Sequence, residues 1–324
     1  MLSKRPLVAL ATLVSLAIVV VAAAGCGNLG GAEKYPTKQI TYMTCFDPGG
    51  QSDREARRQQ PYLEKALGQK VVVDYKVGGG GAVGWAEAAR GKPDGYQITG
   101  INLPHIILQP MQQNVGYKTD QLLPISLFQS TPQGLIVLKN SPYKDLNSFV
   151  EAAKKNPGKL TIGGSATWSG SHIATLRLEK LTGAKFEYVP FTGAAPSITA
   201  FLGGHSDALM ANSDDITKYR DQSILLGIAS EERLPGVPDG KTFKEQGIDM
   251  VEIIARGVAV PAGTPQNVVD VLDKAFQEIT KNPDIIAAQK QEGFVPMALN
   301  AKDSKAYIEK LIPVYKEITA GLSK

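Results

Sequence analysis

The chain has 324 residues, 43% hydrophobic and 20% charged, which excludes a disordered polyelectrolyte and leaves room for one large domain or two of typical size. Its 35 basic and 31 acidic residues give a net charge of +4, and no basic run is interleaved with aromatics, so there is no nucleic-acid footprint. Two cysteines and three scattered histidines supply neither a disulfide framework nor a metal-ligand spacing such as His-Glu-x-x-His.

Lys4 and Arg5 precede an uncharged, largely apolar run, Leu7 to Ala24, that closes in Ala-Ala-Gly-Cys. This is the pattern of a secretory signal over residues 1–25; the length of the run leaves a retained single-span anchor as the alternative. Ala24 and Gly25 before Cys26 resemble a bacterial lipobox, in which the cysteine is acylated and becomes the mature N-terminus. Ala23 departs from that pattern, where leucine is usual. Residues 26–34, with Gly27, Asn28, Gly30 and Gly31, read as a flexible tether. Removing the signal takes away two basic residues and no acidic one, leaving 33 against 31. With Cys26 used for lipid, Cys45 has no intramolecular partner and is either a small buried residue or a thiol beside a ligand loop.

From Pro36 onward the pattern alternates strand and helix. Ile40–Thr44 predicts a strand. Phe-Asp-Pro-Gly-Gly-Gln-Ser-Asp, Phe46 to Asp53, follows, and then a helix over Asp53–Leu67 containing Pro61. Ser52 and Glu55 have the spacing of a capping box. Lys70–Tyr75 is a β-branched strand, Gly78–Gly81 a glycine loop, Ala82–Arg90 a helix and Tyr96–Asn102 a strand. Asp145–Asn156 predicts a helix stopped by Pro157 and Gly158; Thr161 and Ile162 lead through Gly163–Ser171 into a helix from His172 to Thr182. Phe186–Phe191, Asp207–Ala211 and Ile224–Ala229 read as strands, Ala195–Leu202 as a helix, and a polar helix-like stretch starts near Ser213. Two amphipathic helices close the chain, with stripes Val268, Leu272, Phe276, Ile279 and Tyr307, Leu311, Val314, Ile318. Repeated alternation of this kind implies an α/β fold with mainly parallel sheets flanked by helices.

Gly79-x-Gly81-x-x-Gly84 matches the dinucleotide fingerprint, but the strand that should end in a ribose-binding acid offers only Gly100 and Asn102, so no nucleotide cofactor is expected. No Gly-x-Ser-x-Gly elbow occurs, and His105, His172 and His205 stand apart from any nucleophile, so no catalytic residue and no metal is assigned. What accumulates is small, hydroxyl-rich loops at the carboxyl ends of strands: Pro48–Ser52, Gly78–Gly81, Ser165–Ser171, Phe191–Ala194 and Asn212–Asp214. Ligands of open α/β sheets bind outside those ends, and helix-start N–H groups with Ser, Thr and Asn side chains suit a carboxylate. Each loop alone is also compatible with a plain turn.

These residues carry a resemblance. Phe46-x-Pro-Gly-Gly-x-Ser-Asp53, Gly-Gly-Gly-Ala-Val-Gly84, Lys92-Pro-Asp-Gly-Tyr96, Tyr188-Val-Pro-Phe-x-Gly193, Leu202-Gly-Gly-His-x-Asp207 and Val260-Pro-Ala-Gly-Thr-Pro265 are similar, in order and spacing, to the substrate-binding proteins of tripartite tricarboxylate transporters, the Bug family. The match runs from Tyr35 to the C-terminus. It implies a two-lobed periplasmic-binding-protein fold of type II-like build, each lobe a mainly parallel sheet, with two crossovers: residues 35–130 and 257–324 in one lobe and 131–256 in the other. It also implies an extracytoplasmic, lipid-anchored, monomeric receptor that delivers a small di-, tricarboxylate or similar acid to a membrane permease. The alternatives are a sensing subunit for a histidine kinase, or an extracytoplasmic enzyme.

Carried over by position, the ligand set is Gly50, Gln51, Ser52, Asp53, Gly80 and Gly81 from one lobe and Ser165, Thr167, His172, Thr192, Gly193 and Asn212 from the other. Asp53, being acidic, is assigned to anchoring the loop or positioning a water rather than to direct carboxylate contact. Three departures mark this chain: the Cys45-Phe46-Asp47 run, Trp168 in place of a small residue, and Arg256 where tryptophan is common. Trp168 fills the cleft, stacks on an unsaturated or aromatic acid, or packs as a lid on its own lobe; Arg256 pairs with a second ligand carboxylate or with a surface acid.

Overall fold

The computed structural model describes residues 34–320. The signal, Cys26 and the tether up to residue 33 lie outside the described residues, as do the last four residues. From Pro36 onward the chain forms one compact unit.

Strands β1 (Ile40–Thr44), β2 (Val71–Tyr75) and β3 (Gln97–Leu103) pair in parallel in the order β2-β1-β3. Helices α1 (Gln51–Leu67), α2 (Ala82–Ala89) and α3 (His105–Gln112) follow them in turn. A second parallel trio, β5 (Thr161–Gly164), β6 (Glu187–Pro190) and β7 (Ala208–Asn212), runs β7-β5-β6. It is interleaved with α4 (Leu146–Lys155), α5 (Gly170–Thr182), α6 (Ala194–Leu202) and α7 (Ser213–Lys218).

Two long strands connect the trios. In β4 (Leu122–Leu138) residues 122–132 pair with β9 (Ile253–Pro261), and residues 133–138 pair with β7 and with β8 (Ser223–Ile228). The antiparallel partner β9 in turn pairs with β3. Helices α8 (Gln266–Thr280) and α9 (Pro283–Gln291), strand β10 (Val295–Leu299), which pairs with β4, and helix α10 (Ala301–Ala320) return the chain to the first trio. Neither connecting strand is evident from pattern. Pro124 and Pro132 interrupt β4, and its pairing with β9 shifts register at Pro124/Ser126 and Leu127/Gln129, which hides a period of two.

Burial follows the pleat. On β7, Ala208 and Met210 join a core with Phe149 of α4 and Leu178 of α5, whereas Leu209 and Ala211 face the other side with Phe201 of α6 and Ile216 of α7. At β1, Met43 and Cys45 pack with Trp85 of α2 and Ile106 of α3. Cys45 is buried, and burial pushes its thiol well above the usual range, so it is a packing residue here.

The start of α1 differs from the capping-box expectation. The helix begins at Gln51 with Gly50 as N-cap and no side-chain cap bond. Glu55 is instead buried among Arg58, Gln59 and Gln289. Asp53, at the third helical position, reaches back to accept from the Gly49 N–H at 2.7 Å and also accepts from Tyr75 Oη at 2.6 Å and Arg57 Nε at 2.8 Å.

Candidate functional site

The carboxyl ends of β1, β3, β5 and β7 and the start of α6 meet around one cavity of about 30 Å³, with β9 behind it. Its wall includes Phe46, Asp47, Gly50, Gln51 and Ser52 from the first loop, Asn102 and His105 from the β3–α3 junction, and Ser165, Gly193 and Asn212 from the second trio. Ile254 and Arg256 come from β9 and Ala194 and Ala195 from the first turn of α6.

Two helix starts open onto this space. Gly50 caps α1 and Gly193 caps α6, neither start has a side-chain cap bond, and both glycines line the cavity. Their first-turn N–H groups are available to an anion. Polar side chains add to them. Ser52, Asn102 and Ser165 commit their side-chain polar atoms to no hydrogen bond among the described residues, although Asn102 is only 6% and Ser165 8% exposed. His105 Nδ1 and Arg256 Nε are also buried without a partner. Buried polar groups are normally satisfied, so this concentration of uncommitted groups is the signature of a site that completes itself with a guest.

Arg256 is the cation of the wall. Register on β9 sets it between Asn102 of β3 and Gln129 of β4. It is buried and donates to Thr131 Oγ1 and Gln51 Oε1. The Gln51 amide passes the connection on, donating to Asp214 Oδ1, while Asp214 Oδ2 accepts from Arg54. Burial lowers the Arg256 guanidinium to about 10, with Asp214 acting against that fall. Burial pushes the Asp214 carboxyl up, and the Arg54 and Arg256 charges pull it back. Burial, and next the Arg256 charge, lower His105 to about 3, so its imidazole is neutral at physiological pH.

The structure thus brings Gly50, Gln51, Ser52, Ser165, Gly193, Asn212 and Arg256 of the expected set to one cavity. Asp53, Gly80, Gly81, Thr167, Trp168, His172 and Thr192 are not in its wall. Asp53 anchors the loop from behind, as described. Gly80 meets the β5–α5 loop: a Cβ on it would lie 2.4 Å from Ala166 Cβ. A Cβ on Gly81 would strike the Trp85 indole. Trp168 (φ +63°) packs against the core around Trp85, and its N–H donates to His172 Nδ1 at 3.1 Å. Arg256 pairs inward, away from any surface acid. Asp47 enters the sequence reading only as part of a departure from the family pattern, and the expected ligand set omits Asn102 and His105. The signal available for the last two was a further strand-to-helix junction, Asn102-Leu-Pro-His105, of the same kind as the loops singled out.

Among the described residues no group of His, Cys, Asp and Glu can hold a metal ion, and no helix is long and apolar enough to cross a membrane.

Comparison with known proteins places the fold and the family. The chain matches the family described as tripartite tricarboxylate transporter family receptor over residues 55–321. It is 30% identical over 270 residues to a UPF0065 protein from the tcbD–tcbE intergenic region of a Pseudomonas sp., covering 81% of this chain and 79% of that one. The structure of the periplasmic binding protein BugD superposes with a TM-score of 0.81 at 27% identity, over 89% of this chain and 98% of that one. MatC from Rhodopseudomonas palustris with bound malate shares the fold, with a TM-score of 0.81 at 24% identity over 88% and 99% of the two chains. The architecture is therefore the two-lobed fold of periplasmic binding proteins, with β4 and β9 as its crossovers. The chain belongs to the receptor family of tripartite tricarboxylate transporters, the family of the Bug proteins.

Proposed function

We propose that this receptor captures a small organic acid between its lobes outside the cytoplasm and hands it, chemically unchanged, to a tripartite tricarboxylate-type permease. The observation that carries the reading is the convergence of uncommitted donors (the α1 and α6 starts, Ser52, Asn102, Ser165) with one buried arginine on a single cavity. A carboxylate is the group such donors neutralise. The lobes are residues 35–130 with 257–324, and 131–256; both boundaries fall inside the connecting strands β4 and β9. The cavity of about 30 Å³ has room for roughly two waters, so capture requires the lobes to part and reclose on the acid. A ligand touching both lobes binds the closed form better and so stabilises it.

Melting-temperature shifts across mono-, di- and tricarboxylates and amino acids test capture: at least one acid raises the midpoint, and silence across the panel sinks the reading. Ser52→Ala and Asn102→Ala, neither of which breaks a bond within the protein, each weaken a responding acid by about 1.5–3 kcal/mol. Affinities within twofold of wild type for both would move the site elsewhere. Recovery of the acid unaltered after prolonged incubation separates a receptor from an enzyme. Acid uptake by cells lacking this protein checks the permease step, and uptake unaffected by the loss removes it. The anchor is proposed at Cys26, and an unmodified mature N-terminus by intact mass would remove it.

A further inference from the structure

The charges around the cavity narrow the class of acid. Arg54 pairs with Asp214 and lies 3.9 Å from Glu292; Arg58 pairs with Glu55 and Glu292; Arg256 is tied to Asp214 through Gln51. Three guanidiniums thus face three carboxylates within the protein itself. The neighbouring Asp215 is half-buried, and burial followed by the Asp214 charge pushes its carboxyl well up.

Asp47 stands outside that balance. It lines the cavity, and no hydrogen bond or ion pair engages its side chain among the described residues; only its backbone carbonyl is used, accepting from the Gly50 N–H at 3.2 Å. The cavity wall therefore offers one uncommitted carboxylate and one arginine whose charge is already matched. A dicarboxylate would bring two more negative charges to a site with no surplus cation. Uncompensated buried charge is heavily penalised, and like charges across a site give specificity by exclusion. A ligand carrying one ammonium and one carboxylate adds no net charge: the ammonium cancels the charge of Asp47, and the carboxylate takes the helix-start N–H groups, the free hydroxyl and amide side chains and the spare Arg256 donor.

Resting on the receptor reading above, we propose that the ligand is a small zwitterionic amino-carboxylate rather than a di- or tricarboxylate, and that Asp47 is the residue that selects it. Calorimetric titration of the processed protein with length-matched probes tests this: 3-aminopropanoate against succinate, 4-aminobutyrate against glutarate, and a panel of neutral α-amino acids. At least one amino-carboxylate is expected to bind at least tenfold more tightly than its dicarboxylate counterpart. Asp47→Asn, which breaks no side-chain bond and should keep the wild-type melting temperature, is expected to weaken that probe at least tenfold, and Asp47→Glu to keep the preference. Dicarboxylates binding more tightly than their amino counterparts, or a preference unchanged in Asp47→Asn, overturns the inference and leaves the receptor reading standing. No binding by any acid of either type overturns both.

Discussion

Gly80 and Ala166 are seated against each other across the cleft, so closely that a Cβ on the glycine would lie 2.4 Å from the alanine Cβ. Gly80 holds φ at +62°, and its carbonyl accepts from Gln109 Nε2 at 3.1 Å, while Gln109 Oε1 accepts from the Tyr117 hydroxyl at 3.2 Å. The glycine loop after β2 is thus fixed by Gln109 and receives the β5–α5 loop of the second trio.

Gly80→Ala should therefore act twice. The left-handed backbone costs about 1–2 kcal/mol with a Cβ, and the clash with Ala166 keeps the two loops apart. Gly68, at φ +63° with nothing within 4 Å of the added atom, isolates the first effect. Both variants should melt earlier, but only Gly80→Ala should lose ligand affinity, by about tenfold or about 1.4 kcal/mol. Equal affinity in the two variants, by titration calorimetry, would mean that this contact does not govern closure.

Removing Asp214 should be costly. Its side chain is 2% exposed and anchors Arg54 and the Gln51 amide, through which Arg256 is held. Asp214→Ala leaves a buried guanidinium without its counter-charge, for which about 3–5 kcal/mol is typical. Arg54 is a third exposed and can turn to water, so most of the loss falls on Arg256 and Gln51. Urea unfolding measures it; a loss below about 1 kcal/mol would show that the arginines are balanced by other acids.

Stability should also fall in acid through His172. Burial lowers this imidazole from 6.5 to about 4 in the folded chain, where Nδ1 accepts from the Trp168 N–H. The unfolded chain thus binds the extra proton between those values. The contribution of this residue is fully present above about pH 6.5, is lost as pH falls, and stops changing below about 4. Over that window it amounts to about 3 kcal/mol. His172→Gln, which keeps an acceptor and cannot titrate, should be flatter than wild type between pH 6.5 and 4 in urea midpoints. Parallel curves would show that the imidazole is not held neutral.

Much of the framework is legible locally. Strands such as Ile40–Thr44 and helices such as Gln266–Thr280 announce themselves because apolar spacing and punctuation by Gly and Pro act within a dozen residues. The loops at strand ends are legible for the same reason. Strand β4 is not, since two prolines and two register shifts erase its alternation and it owes its existence to pairing with β9 more than a hundred residues away. Trp168 reads as a candidate for the cleft or for its own lobe; it packs on the core around Trp85 of α2, outside the cavity wall, a contact between residues 83 positions apart.

By itself the sequence determined the α/β alternation, the strand-end loops and the family resemblance, all of which depend on neighbours in the chain. Only the tertiary structure decided the electrostatics of the site. Arg54 and Asp214 are 160 residues apart, and Gln51 and Arg256 are 205 apart, so their pairing is invisible until strands distant in the chain are folded together. That pairing matches the charge of Arg256 and leaves Asp47 uncommitted. Coulomb energies depend on distance in space and on burial, and neither quantity is written along the chain.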